Sequence, residues 1–171
     1  MKKYLYYSLM FVVLAVRNSF ADDTNANGWG VATNGVQMAI SLKNGGSEIK
    51  TNQFVTLLVR IRNVSTNETV YLYRYIFDDT GSDGGVSCRV ISPTGKDILP
   101  NTDNSLHRGS GADYPVPPRQ IYEFEFDLGE FCKFNEVGTY KIIATKKMWM
   151  GKYEKFPVVS NPLFVIVNSN N

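Results

Sequence analysis

The sequence predicts an all-β fold, an antiparallel sandwich of seven to nine short strands, on three observations. Apolar and polar residues alternate with period two in run after run, which is the signature of a strand with one buried face. Turn-forming residues separate the runs at regular intervals. No amphipathic helical stretch of ten residues or more occurs. The run "IYEFEFDL" is the sharpest case, with Tyr122, Phe124, Phe126 and Leu128 facing in and Glu123, Glu125 and Asp127 facing out.

Before the strands comes "DDTNANGWGVATNG", polar and rich in Asn and Gly, read as an exposed arm over 22–34 that is ordered where Trp29 docks. "VQMAISL" places Val36, Met38, Ile40 and Leu42 on one face, and Asn44-Gly45-Gly46 ends it. "FVTLLVRIRN" follows with Val55, Leu57, Val59 and Ile61 on one face and Arg60 and Arg62 on the other. In "TVYLYRYIF", Val70, Leu72 and Ile76 share a face with Arg74, while Tyr71, Tyr73, Tyr75 and Phe77 share the opposite one. Both faces are largely apolar, as in a central strand whose outer face is covered or touches something. "DDTGSDGG" is a loop and "VSCRVIS" a strand closed by a Pro-Thr-Gly-Lys turn. The stretch from Ile98 to Gln120 reads as irregular, with Pro115, Pro117 and Pro118 near its end. "GTYKIIATKK", with Tyr140, Ile142 and Ala144 on one face, and "LFVIV" complete a single domain over 35–167, followed by a tail at 168–171.

The N-terminus reads as a leader. Met1-Lys2-Lys3 is basic, Tyr4 to Val16 is mostly apolar, and Ser19 and Ala21 suit a cleavage after residue 21. The run is shorter than the roughly 20 apolar residues of a comfortable membrane helix. Arg17, just beyond it, carries the alternative of an uncleaved anchor. Three of the 18 basic residues (Lys2, Lys3 and Arg17) lie in this leader, which has no acid, so 15 basic residues remain against 16 acidic ones. That near-neutral, mixed surface gives no footprint for nucleic acid. The expectation is a secreted or periplasmic protein with no stable membrane span after cleavage.

Cys88 and Cys132 would meet an oxidising compartment, where pairing is the default. A bridge closing a loop of roughly 40 residues would add about 3–4 kcal/mol in the chain-entropy model. Two unpaired, buried thiols are the alternative. A Cys–His dyad with His107, the sole histidine, lacks any surrounding signature, and His107 sits in a polar loop. Ser110 lies between two glycines but has Arg108 where a nucleophile elbow needs glycine. Asp78, Asp79 and Asp83 form an oxygen-rich loop and are the candidate calcium ligands. Counted from Asp79, however, the twelfth position of a calcium loop is Val90 where a bidentate Glu is required. No motif asks for a cofactor, and no spacing supports zinc. The sequons at Asn63 and Asn67 read as turn residues.

Aromatic abundance carries the functional content: ten Tyr, ten Phe and two Trp. Most Phe fall on inward faces. Tyr71, Tyr73, Tyr75 and Trp149, the last set in "KKMWMGKY", are candidates for contact with a protein or glycan by stacking and apolar burial. Packing under loops and the N-terminal arm is the structural alternative for them.

The stretch "FDLGEFCKFNEVGTYKIIA" resembles the E–F corner of bacterial immunoglobulin-like modules, where a Gly-Thr-Tyr leads into strand F. That resemblance implies an immunoglobulin-like sandwich with Tyr140 as the corner tyrosine, its hydroxyl bonded to upstream backbone. "GWGVATNGVQMAISLKNGG" and "FVTLLVRIRNVS" are similar to the opening of small exported bacterial proteins of this type, and the likeness extends over 29–167. The Cys…Trp…Cys pattern of antibody domains is absent, since no Trp lies between Cys88 and Cys132. A related sandwich serves some bacterial proteinase inhibitors, which makes Asn101 to Pro118 the alternative functional segment. The leading expectation is a non-catalytic binding or accessory module.

Overall fold

The computed structural model describes residues 28–75, 86–98, 111–150 and 154–170. Its strands in chain order are β1 (Val36–Leu42), β2 (Glu48–Lys50), β3 (Thr56–Asn63), β4 (Val70–Tyr75), β5 (Val86–Ile91), β6 (Asp97–Ile98), β7 (Gly111–Val116), β8 (Ile121–Asp127), β9 (Gly138–Met150), β10 (Glu154–Val159) and β11 (Leu163–Asn168). They form two sheets. The smaller has the order β1-β3-β8, and the larger runs β2-β11-β9-β4-β7, with β10 and β5 also paired to β9 and β6 to β5.

Period-two alternation builds the interior. Met38, Ile40, Leu57, Val59 and Ile61 of the small sheet face Ile142, Ala144, Val158 and Val165 of the large one, all of them buried. The spine is β9, whose thirteen residues give a second strand room on each edge. Along one edge lie β11, opposite 138–142, and β10, opposite 145–150. The other edge carries β5, opposite 141–146, and β4, opposite 149–150.

A 3₁₀ turn at Leu128–Glu130 carries the chain from β8 into the corner that opens β9. Phe131 stacks on Phe126 with centroids 5.7 Å apart, and Phe134 meets the ring of Tyr140 edge-on at 5.0 Å. Tyr140 is fully buried, and its hydroxyl accepts the backbone N–H of Glu136 at 3.0 Å. One phenol thus fills the core and satisfies a backbone donor of the corner.

Several elements differ from the sequence reading. Eleven strands form among the described residues rather than seven to nine, and β2 pairs with β11 in parallel. Residues 111–116, read as irregular because of their proline, are a strand in register with β4, with Pro115 opposite Tyr71. Proline is tolerated there because β7 is an edge strand, where a missing N–H need not break a ladder bond. The same holds for Pro157 in β10, which pairs with β9. In the arm, Trp29 and Gly30 are buried while Val31 is 84% exposed. Gly30 approaches β10 so closely that a Cβ on it would stand 2.1 Å from the Val159 carbonyl oxygen. The leader and residues 22–27 lie outside the described residues.

Candidate binding surface

Alternation along four neighbouring strands sets the geometry of the surface. Val70 and Leu72, Met148, Val116, and Phe156 and Val158 point into the core. Tyr71, Trp149, Pro115 and Lys155 therefore point outward from β4, β9, β7 and β10. Register then aligns them: Lys155 is opposite Trp149, Trp149 opposite Tyr71, and Tyr71 opposite Pro115. The result is one row across four strands on the outer face of the large sheet. Trp149 and Tyr71 are half-buried, and Lys155 and Pro115 are exposed. The Lys155 ammonium lies 5.3 Å from the Trp149 ring centroid, a cation–π distance. Pro157 and Lys147 form the next cross-strand pair along β9.

Of the four aromatic residues singled out in the sequence, Trp149 and Tyr71 are brought side by side. Tyr73 and Tyr75 hold β4 positions of the same parity, paired with Asp113 and Gly111, and their side chains lie outside the description. Asp78, Asp79 and Asp83 lie outside the described residues, as do His107 and Ser110. The described residues contain no cluster of three metal-ligating side chains. Half of the segment from 101 to 118 is likewise undescribed, and much of its second half is β7 rather than an extended loop.

Cys88 and Cys132 are not bridged in the structure. Both are free and buried, Cys88 on the inner face of β5 opposite Ala144 and Cys132 just after the 3₁₀ turn. Each serves there as a small apolar core residue. Burial, and then the charge of Cys132, pushes the Cys88 thiol up to about 12, and burial pushes Cys132 up to about 11. Both stay protonated at neutral pH, the reverse of what a nucleophilic thiol requires.

Four residues have placements that the sequence did not disclose. Lys146 is 2% exposed on the core face of β9, with its ammonium 5.8 Å from the Phe124 ring centroid. Strict alternation from Tyr140 through Ala144 already put position 146 inward, but a lysine there reads as solvated. Asn63, the first sequon asparagine, is fully buried. Its amide nitrogen donates to the carbonyls of Glu68 and Val116, and its oxygen accepts from Ser65, so it latches the end of β3 to β7. Phe54 is 57% exposed and Phe164 55%, against the expectation that the phenylalanines are mostly inward.

No family model matches the chain, and no curated protein matches it. Several solved structures are distantly similar. The structural-genomics target SoR45 has 11% identity and a TM-score of 0.48, over 80% of this chain and 90% of that one. The C-terminal domain of wzt has 10% identity and a TM-score of 0.45, over 84% and 83%. A PapD-like domain of human CEP192 has 10% identity and a TM-score of 0.37, over 77% and 87%. The two antiparallel-dominated sheets and the Tyr140 corner described above make the fold an immunoglobulin-like β-sandwich. Fold of this kind does not specify function, which has to be argued from the surface itself.

Proposed function

We propose that this chain is a secreted or periplasmic, non-catalytic binding module that contacts a protein or glycan partner through the outer face of its large sheet. The observation that carries the proposal is the cross-strand row Lys155–Trp149–Tyr71–Pro115. Trp and Tyr offer large rigid contact area with little rotamer entropy to lose, and such residues dominate binding energy where they are central to a contact. A flat sheet face fits the broad surface of a protein better than a small molecule, which prefers a concave site. The leader-like N-terminus supports an address outside the cytoplasm.

The test is capture of a partner from the native surroundings by immobilised protein spanning residues 22–171, with a glycan array run in parallel. Partner affinity is expected to fall about tenfold or more in Trp149→Ala and Tyr71→Ala, with unchanged circular dichroism. Equal binding by wild type and both variants would place the contact elsewhere.

A further inference from the structure

At the end of the sandwich away from Trp149, the chain from Leu42 to Thr56 encloses an open pocket of about 360 Å³. That volume lies at the small end of ligand pockets, which run from roughly 300 to 1,000 Å³. Its floor is buried and apolar, formed by Leu42, Ile49 and Val55. Phe54 makes one wall and is 57% exposed, which leaves much of its ring accessible from the pocket.

The wall is built into the corner. A Cβ at Gly129 would stand 2.7 Å from the Phe54 ring and 2.9 Å from the Val55 nitrogen, so glycine is what lets the ring lie there. The Gly129 N–H also donates to the Val55 carbonyl at 2.9 Å. The loop before Phe54 is pinned on both sides. Thr51 N–H donates to Asn168 O, and Asn52 N–H, at a positive φ of 60°, donates to Phe134 O.

The hydrogen bonds already made at the rim leave a defined set of donors and acceptors. The Gln53 side-chain oxygen accepts the N–H of Lys50 at 2.9 Å, and the Asn44 oxygen accepts the N–H of Gly46. With both oxygens engaged, the two amides have N–H donors left for a ligand. Thr56 donates its hydroxyl proton to Asp127 at 2.8 Å, which leaves its oxygen as an acceptor. The Lys43 ammonium donates to Glu125 at 2.7 Å, and that bond, more than the nearby Asp127 charge, raises its pKa. Two carboxylates around one ammonium provide no field for an anion. The ligand that matches is uncharged, has one apolar face for the Phe54 ring, and carries hydroxyl groups that both accept and donate.

We infer that this pocket binds a neutral pyranose sugar residue, its C–H face on Phe54 and its hydroxyls on Asn44, Gln53 and Thr56. The site is independent of the Trp149 row. Eleven strand positions of β9 separate the β2–β11 end from Trp149, a distance of roughly 35 Å.

The experiment titrates methyl α-glucoside, methyl α-mannoside, methyl β-galactoside and N-acetylglucosamine into isotope-labelled protein and follows backbone amide shifts. Saturable shifts at Asn44, Gln53, Val55 and Thr56 with at least one sugar, in the millimolar range, are expected. Affinity should fall about tenfold in Phe54→Ala and several-fold in Gln53→Ala, two exposed positions whose replacement leaves the core intact. Trp149→Ala should leave these shifts unchanged, which separates this site from the proposed partner surface. Absence of saturable shifts with all four sugars would overturn the inference, as would shifts that survive Phe54→Ala. Tighter binding of acetyl-phenylalanine amide than of any sugar would overturn it too, since the pocket would then be an apolar peptide site.

Discussion

Two tryptophans, each set beside a cation, occupy the outer faces of opposite sheets in very different ways. Trp29 lies over the outer side of β3, with the Arg62 guanidinium 4.5 Å and that of Arg60 5.6 Å from its ring centroid. Trp149 stands in the large sheet with the Lys155 ammonium at 5.3 Å. Yet Trp29 is 4% exposed and Trp149 only half-buried. The chain itself makes the difference. The arm that carries Trp29 is pinned by Gly30 N–H to Met38 O, by the Asn161 side-chain amide to Trp29 O, and by Gln37 to Gly30 O. Gln37 in turn accepts from Arg62, so ring, guanidinium and amide form one closed patch over Ala39, which is fully buried. An aromatic–cation pair is therefore structural when the chain's own backbone fastens it down. It becomes a candidate contact when the pair stands in mid-sheet and keeps part of the ring exposed.

Truncation separates the two cases most strongly. Trp29→Ala is expected to cost about 3 kcal/mol, the loss typical of a buried large aromatic, seen as a lower urea midpoint with unchanged slope. Partner binding by the protein that remains folded should be unaffected. Trp149→Ala is expected to cost less than about 1 kcal/mol and to show its effect in binding instead. Equal stability losses for the two variants would erase the distinction between a fastened face and a contact face.

The buried thiols test the closed part of the molecule by pH. Below about pH 7.5 both are protonated in the folded and unfolded chains, and stability does not depend on them. Above it the unfolded chain ionises first, because burial holds the folded thiols near 12 and 11. Stability should then fall by up to about 1.4 kcal/mol per pH unit for each thiol. Cys88→Ala should flatten that slope in alkaline urea titrations. The denatured, unreduced chain should titrate two thiols; none would mean that the core carries a bridge instead. Smaller again is Tyr140→Phe, which keeps the ring but removes the acceptor for Glu136 N–H, at an expected cost of about 1 kcal/mol in the same assay.

Alternation made much of this legible. The inward sets of β1 and β3 follow directly from period-two runs, because one face of each meets the core. What stayed hidden has local causes. Pro115 and Pro157 look like breaks until an edge position makes their missing N–H harmless. β2 has three residues, too few for a period to show. Lys146 violates the residue type expected at its own inward position. For the candidate surface, the sequence supplied Tyr71 and Trp149 as outward aromatics, but their adjacency depends on a two-residue pairing between β4 and β9 that no local pattern encodes. Phe54 shares the outward parity of Arg60 and Arg62, but nothing local shows that its ring rests on Gly129, more than seventy residues away in sequence.

The weakest expected effect marks the limit of the contact face. On the same outer side of the large sheet, Arg89 of β5 forks onto Asp97 of β6 at 2.9–3.2 Å, with side chains 62% and 45% exposed. The hydrogen bond from Arg89 lowers the Asp97 pKa, so any stability from the pair is present above the ordinary carboxylate pKa and lost as pH falls through the folded value. Exposure lets water and salt screen that contribution. Asp97→Asn is therefore expected to leave the thermal midpoint unresolved from wild type at physiological ionic strength, and to leave partner affinity unchanged. Weaker binding in this variant, with the midpoint held, would mean that the partner reaches down β9 to the β5–β6 hairpin. The contact would then be the whole outer face, with the Trp149 row as one end of it.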